Sequence, residues 1–166
     1  IKTLHESGEN ITKIKGVFSG SLSYLFNSFS DEDKAFSYFL KNAIRSGYTE
    51  PDPREDLSGN DVARKLLILA RELELENEFD DIEIENLIPK QLRAGSTEHF
   101  LENIEETDAH YANVKARLKK GEVLRYTGEL TGDLQQRKGK LRVALNAVAK
   151  NSALGNLKGS DSIFEI

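Results

Sequence analysis

The 166-residue sequence contains no cysteine, no methionine and no tryptophan, and only three prolines. Without cysteine there is no thiolate nucleophile, no disulfide and no Cys-ligated metal. A semialdehyde enzyme working through a covalent thioester is excluded by the same absence. Long apolar runs are missing as well, and none approaches the ~20 residues of a membrane-spanning helix. Ile1 to Asn10 lacks the apolar core of a signal peptide. Positive charge is not in excess either. The formal net charge is −5, which argues against binding nucleic acid or an anionic membrane surface. A cytoplasmic setting fits this composition. The chain starts at Ile1 and stops at Ile166, just after a strand-like segment, and both ends are expected to be cuts through a longer protein.

Hydrophobic residues make up 38% and charged residues 31%, a globular balance in a chain long enough for one ordinary domain. Ile11 to Phe18 alternates roughly as a strand, and Ser19-Gly20-Ser21 punctuates it. Leu22, Leu25, Phe26 and Phe29 follow at helical spacing. Ser30, with Asp33 three residues on, suggests the cap of a second helix whose apolar face is Phe36, Phe39, Leu40, Ala43 and Ile44. Gly47 is placed to end it.

Tyr48 to Gly59 holds two prolines and several turn formers and is expected to be a loop. Ser58 and Asp61 suggest a cap for a helix reaching about Leu75, with Val62, Leu66, Leu69 and Leu73 inward. Ile82 and Ile84 alternate with Glu83 and Glu85 as in a half-buried strand. Phe100, Ile104, Tyr111, Val114 and Leu118 suggest one long helix stopped at Gly121. Strands are expected at Val123–Thr131, Lys140–Ala149 and Asp161–Ile166. Helices thus precede most strands, which predicts an α+β domain, a mixed β-sheet with helices packed on one face.

The run GYTEPDPREDLSGNDVARK from Gly47 to Lys65 is the most informative segment. It is long for a helix–helix connection, where about 4–6 residues is typical. Crowding Glu50, Asp52, Glu55, Asp56 and Asp61 together costs self-repulsion unless a cation offsets it. Two prolines stiffen the run, and Asp61 and Lys65 share a helix face at four-residue spacing. On physical grounds such a pair is more often a solvated ion pair than an active site. What the run does offer is several carboxylates and one ammonium, a set suited to a small zwitterion with an amino group.

The same run closely resembles the defining motif of homoserine dehydrogenases, through Ala43, Gly47, Tyr48, Thr49, Glu50, Pro51, Asp52, Pro53, Asp56, Leu57, Gly59, Asp61 and Lys65. KGVFSGSLSYLFN upstream resembles the family's glycine-rich turn, and LLILARELEL and DIEIENL continue the similarity. The form is especially similar to the dehydrogenase half of bifunctional aspartokinase–homoserine dehydrogenases. The resemblance implies reduction of aspartate 4-semialdehyde to homoserine with NADPH or NADH, on the route to threonine, methionine and isoleucine. It implies that Lys65 is the catalytic cation beside the reacting oxygen and that Glu50 holds the substrate's α-ammonium group. Asp61 would share that task or fix Lys65, and Asp56 would support the site. Tyr48 and Gly47 would line the pocket, and Gly20 and Ser21 would form the turn against the substrate.

It further implies that residues 1–166 are a catalytic and dimerisation domain, hence a homodimer, with the NAD(P)-binding domain absent. No G-x-G-x-x-G fingerprint occurs, so NADP or NAD, and any monovalent cation, would be bound mainly outside this chain, and the chain alone would be inactive. Its rival is an interaction module that keeps the motif as a remnant. The histidines His5, His99 and His110 have no metal-ligand spacing, and no metal site is expected.

Overall fold

The computed structural model describes residue 7, residues 11–132 and residues 137–166; His5 lies outside them. Five strands form one sheet: β1 (Lys13–Val17), β2 (Ile82–Ile84), β3 (Glu122–Thr131), β4 (Lys140–Ala149) and β5 (Ile163–Glu165). Their order is β2-β4-β3-β1-β5. All neighbours are antiparallel except β2 and β4. The sheet is therefore mixed, as expected.

Alternation along the strands separates two faces. Ile14, Leu130 and Leu141 point into one hydrophobic core with the helices. On the other face Lys13 and Lys15 pair with Glu129, and Arg142 with Glu83. The helices are α1 (Gly20–Asp31), α2 (Phe36–Arg45), α3 (Pro53–Leu57), α4 (Asn60–Glu72), α5 (Thr97–Glu102) and α6 (Asp108–Ala116). Phe26, Phe29, Phe36 and Tyr111 form an aromatic cluster where α1, α2 and α6 meet.

Four local expectations are corrected. Ser30 does not open a helix; α1 runs through Asp31, and the Ser30 hydroxyl accepts from the Leu124 amide. The cap of α2 comes from Asp108, whose carboxylate accepts from the amide and hydroxyl of Ser37 at 2.7 and 2.8 Å. The Tyr48–Gly59 loop contains α3, opened by Asp52 as cap and Pro53 in the first turn. The expected helix from Phe100 to Leu118 is two helices joined by a 3₁₀ turn (Ile104–Thr107). Asn103 breaks it, turning its side chain back to donate to the His99 carbonyl.

Gly59, not Ser58, is the residue before α4, with φ of +79°. A side chain there would strike the Tyr126 hydroxyl. That phenol donates to the Glu85 carbonyl at 2.7 Å, and Tyr111 donates to the Leu87 carbonyl at 2.6 Å. Burial raises the pKa of both phenols, so they stay protonated donors. Leu87 in turn donates its amide to the Leu57 carbonyl. The floor beneath α3 and α4 is thus tied to β3 and α6.

Candidate active site

The turn between β1 and α1 carries both halves of the site. Ser19 caps α1, its hydroxyl accepting from the Leu22 amide at 3.3 Å. The buried Ser21 hydroxyl donates to Asp56 Oδ1 at 2.6 Å, and the Glu50 amide donates to Asp56 Oδ2 at 2.9 Å. Asp56 therefore joins the turn to the acidic loop. One residue before Ser19, the Phe18 carbonyl accepts from Lys65 Nζ at 3.1 Å, and the same ammonium pairs with Asp61 at 2.8 Å. The four residues Phe18 to Ser21 so hold Lys65 on one side and Asp56 on the other.

The rest of the loop is fixed around them. Gly47, at φ of +71°, turns the chain out of α2. Tyr48 then stacks on Tyr24 of α1 with ring centroids 4.4 Å apart. Asp52 forms a bidentate pair with Arg54 and accepts from the Thr97 hydroxyl. The Arg54 hydrogen bonds hold the Asp52 carboxyl down at about 2. Across the turn, Ser23 and Asn27 of α1 donate to the carbonyls of Asp161 and Gly159. They keep the 159–161 segment against α1, where a side chain on Gly20 would lie 3.3 Å from the Ser160 carbonyl oxygen. Arg125 anchors the root of that segment through the carbonyls of Leu154 and Gly155.

Charge in this region is unbalanced. Asp52 is matched by Arg54, and Asp61 by Lys65. The Glu50 carboxylate has no cationic partner among the described residues, and Asp56 is held by neutral donors alone. A carboxylate has about four lone-pair positions, so Asp56 can accept further donors. An ammonium group is the ligand such a pair would attract. Beside Lys65 the surface turns apolar, in a depression of about 340 Å³ lined by Phe18, Ile68, Leu69 and Phe164.

The amino end of α1 faces the Asp56 carboxylate through Ser21, and a pyrophosphate there would meet like charge. Among the described residues no cluster of histidine and carboxylates is placed to hold a metal. No helix of the described residues is long and apolar enough to cross a membrane. His99 and His110 are exposed, and Tyr111, Phe36 and Phe39 are buried core.

A family profile described as homoserine dehydrogenase matches residues 1–166. The chain belongs to the homoserine dehydrogenase family. It is 41% identical to the homoserine dehydrogenase of Emericella nidulans over 99% of this chain and 46% of that protein. It is 42% identical to the chloroplastic bifunctional aspartokinase/homoserine dehydrogenase 1 of Arabidopsis thaliana, over 99% of this chain and 18% of that one. A crystal structure of a Candida auris protein of unknown function superposes with a TM-score of 0.86 at 36% identity, covering 98% of this chain and 46% of that one. The chain thus spans about half or less of the length of these relatives.

For a homoserine dehydrogenase domain, five of the eight sequence-expected residues, Ser21, Glu50, Asp56, Asp61 and Lys65, fall into two linked groups, while Gly20, Gly47 and Tyr48 flank them in the chain. Asp56 gathers Ser21 and Glu50; Lys65 gathers Asp61. Glu50 joins through its amide, and the residue is exposed. Sequence reasoning missed the Phe18 carbonyl, Tyr24 and the Tyr126–Gly59 contact. A backbone carbonyl leaves no mark in residue type. Tyr24, three residues after Ser21 on one helix face, could have been found by helical spacing.

Proposed function

We propose that this chain supplies the substrate half of a homoserine dehydrogenase active site, reducing aspartate 4-semialdehyde to homoserine on the route to threonine, methionine and isoleucine. The observation that carries this reading is the Phe18–Ser21 turn, which sets one ammonium and one under-satisfied carboxylate on either side of a single four-residue span. A substrate with an α-ammonium group and a carbonyl oxygen matches that pair of charges. Asp56 and the Glu50 carboxylate take the α-ammonium, with Tyr48 and Gly47 closing the wall beside it.

The carbonyl oxygen lies against Lys65. An ammonium has three N–H donors; Asp61 and the Phe18 carbonyl use two, and the third points to substrate. NADPH or NADH, held by a nucleotide-binding domain outside this chain, supplies the hydride. The resulting alkoxide is stabilised by the Lys65 charge and takes a proton from it directly or through water. Asp61 keeps the ammonium in place. A homodimer and a cytoplasmic setting belong to the same proposal, as does any monovalent cation bound outside these residues.

The test uses a protein in which this chain is joined to the family's nucleotide-binding domain. Lys65→Ala should lower kcat by about 100-fold or more and leave KM within about threefold, because the interaction develops in the transition state. A change in KM alone would remove the assigned role. The 166-residue chain by itself should neither turn over homoserine nor bind NADPH in a calorimetric titration.

A further inference from the structure

We propose that Phe18 is a positioning residue for the Lys65 ammonium, held in place by a glycine pair in the sheet and by the ring of Phe164. The inference rests on the reading of Lys65 given above and extends it to what aims that side chain. Lys65 is half exposed, with 47% of its side chain accessible. Its pair with Asp61 is an i,i+4 surface pair, too weak by itself to fix a long flexible side chain. The second tether, to the Phe18 carbonyl at 3.1 Å, comes from a different element. With two donors held from different directions, rotation about the Cε–Nζ bond stops and the third N–H has one heading. The tether is only as firm as Phe18.

Phe18 is seated by three surfaces. Gly16 and Gly128 face each other directly across β1 and β3. A side-chain carbon on Gly128 would lie 2.9 Å from Cε2 and 3.2 Å from Cδ2 of Phe18. One on Gly16 would lie 2.6 Å from the Ile163 carbonyl oxygen, 2.7 Å from Cδ1 of Phe164 and 3.3 Å from the same Cε2. Both strands therefore lack a side chain where the ring rests, and neither site admits one without displacing a neighbour. On the third side Phe164 meets the ring edge-on, with centroids 4.8 Å apart. A glycine in a strand interior weakens the strand, and here two lie opposite one another. The space at Gly128 is filled by the ring whose own carbonyl holds Lys65, and that at Gly16 by the β5 backbone, Phe164 and the edge of the same ring.

The experiment uses the full-length enzyme, with and without three variants. Phe164→Ala removes the edge contact, and the ring it removes is half exposed, so the fold should persist. Its kcat should fall about three- to tenfold with KM for the semialdehyde within about twofold. Gly128→Ala pushes on the ring directly and should cost kcat about 10- to 100-fold, since small misplacements of a catalytic group have costs of that order. Adding Phe18→Leu to Gly128→Ala should restore kcat to within about threefold, because leucine lacks the atoms that collide. A merely structural role would lower the melting temperature and leave kcat per folded molecule unchanged.

Unchanged kcat in Phe164→Ala, or a Gly128→Ala loss that Phe18→Leu does not relieve, overturns the proposal. If Gly128→Ala does not fold, Phe164→Ala decides. Lys65→Ala in the same assay separates the two ideas: retained kcat there removes the reading of Lys65 itself, whereas loss there with unaffected Phe164→Ala removes only the role of Phe18.

Discussion

Asp52 accepts from the guanidinium of Arg54 through both oxygens and from the hydroxyl of Thr97, and its partners lie in α3 and α5. Asp56, four residues on in the same loop, accepts one hydroxyl and one amide and meets no cation. Both are half-buried aspartates in one acidic run. The first has its charge matched and its geometry closed, which is what a carboxylate that holds a loop requires. The second keeps acceptor capacity facing the β1–α1 turn. Residue type and spacing are the same for both; the partners decide which one is structural.

The largest expected effect breaks both halves of the loop together. Gly59 closes the loop at φ of +79°, with the Tyr126 hydroxyl where a side chain would go. Gly59→Ala adds a left-handed backbone cost of about 1–2 kcal/mol to an overpacking cost of about 1–3 kcal/mol. A loss of about 3 kcal/mol or more in urea unfolding is expected, with Asp52 and Asp56 losing their settings alike.

Asp56→Asn should separate the halves. The amide offers one acceptor in place of two, so either the Ser21 hydroxyl or the Glu50 amide faces an N–H. The expected result is a fall in kcat/KM of about 30-fold in the full-length enzyme, with stability reduced by about 1–2 kcal/mol. Asp52→Asn should do the reverse. It should cost about 2 kcal/mol through the lost charge-assisted bonds to Arg54, while activity per folded molecule stays within about twofold. Equal activity losses in the two variants would erase the distinction.

Much of this was legible beforehand. The positions of β3 and β4, the turn at Gly47 and the core stripe of α4 follow from residue pattern and backbone preference, and Val62, Leu66 and Leu73 are buried as that stripe requires. The motif identified the carboxylates and Lys65. It could not show that Asp108 caps α2 across 71 residues, because capping patterns are read locally and this cap is tertiary. Nor could it reveal that Ser30 serves β3, or that Lys65 leans on a carbonyl of β1's exit. Long-range partners made these choices where local signals were ambiguous. The apolar spacing of Phe100, Ile104 and Tyr111 runs straight across Asn103, so periodicity alone does not mark the helix break there.

The smallest effect concerns pH, and it tests whether the closure at Asp52 is electrostatic. Hydrogen bonds from Arg54 lower its carboxyl from 3.8 to about 2. A depressed native pKa means that the unfolded chain takes up the proton first. The stabilisation is therefore complete above about pH 4 and is lost as pH falls from there toward 2. Partial exposure of the pair screens the interaction, leaving about 1 kcal/mol to be lost over that window. Glu129 titrates in the same direction, held low by Lys13 and Lys15 against the opposing effect of its burial, so acid unfolding of the native chain alone cannot isolate Asp52. The stability gap between the native chain and Asp52→Asn does so, since Glu129 is common to both. That gap, read from urea midpoints, should narrow between pH 5 and pH 2. A gap that stays constant would mean that Asp52 holds the loop by shape and neutral hydrogen bonds, and the contrast with Asp56 would then rest on packing instead of charge.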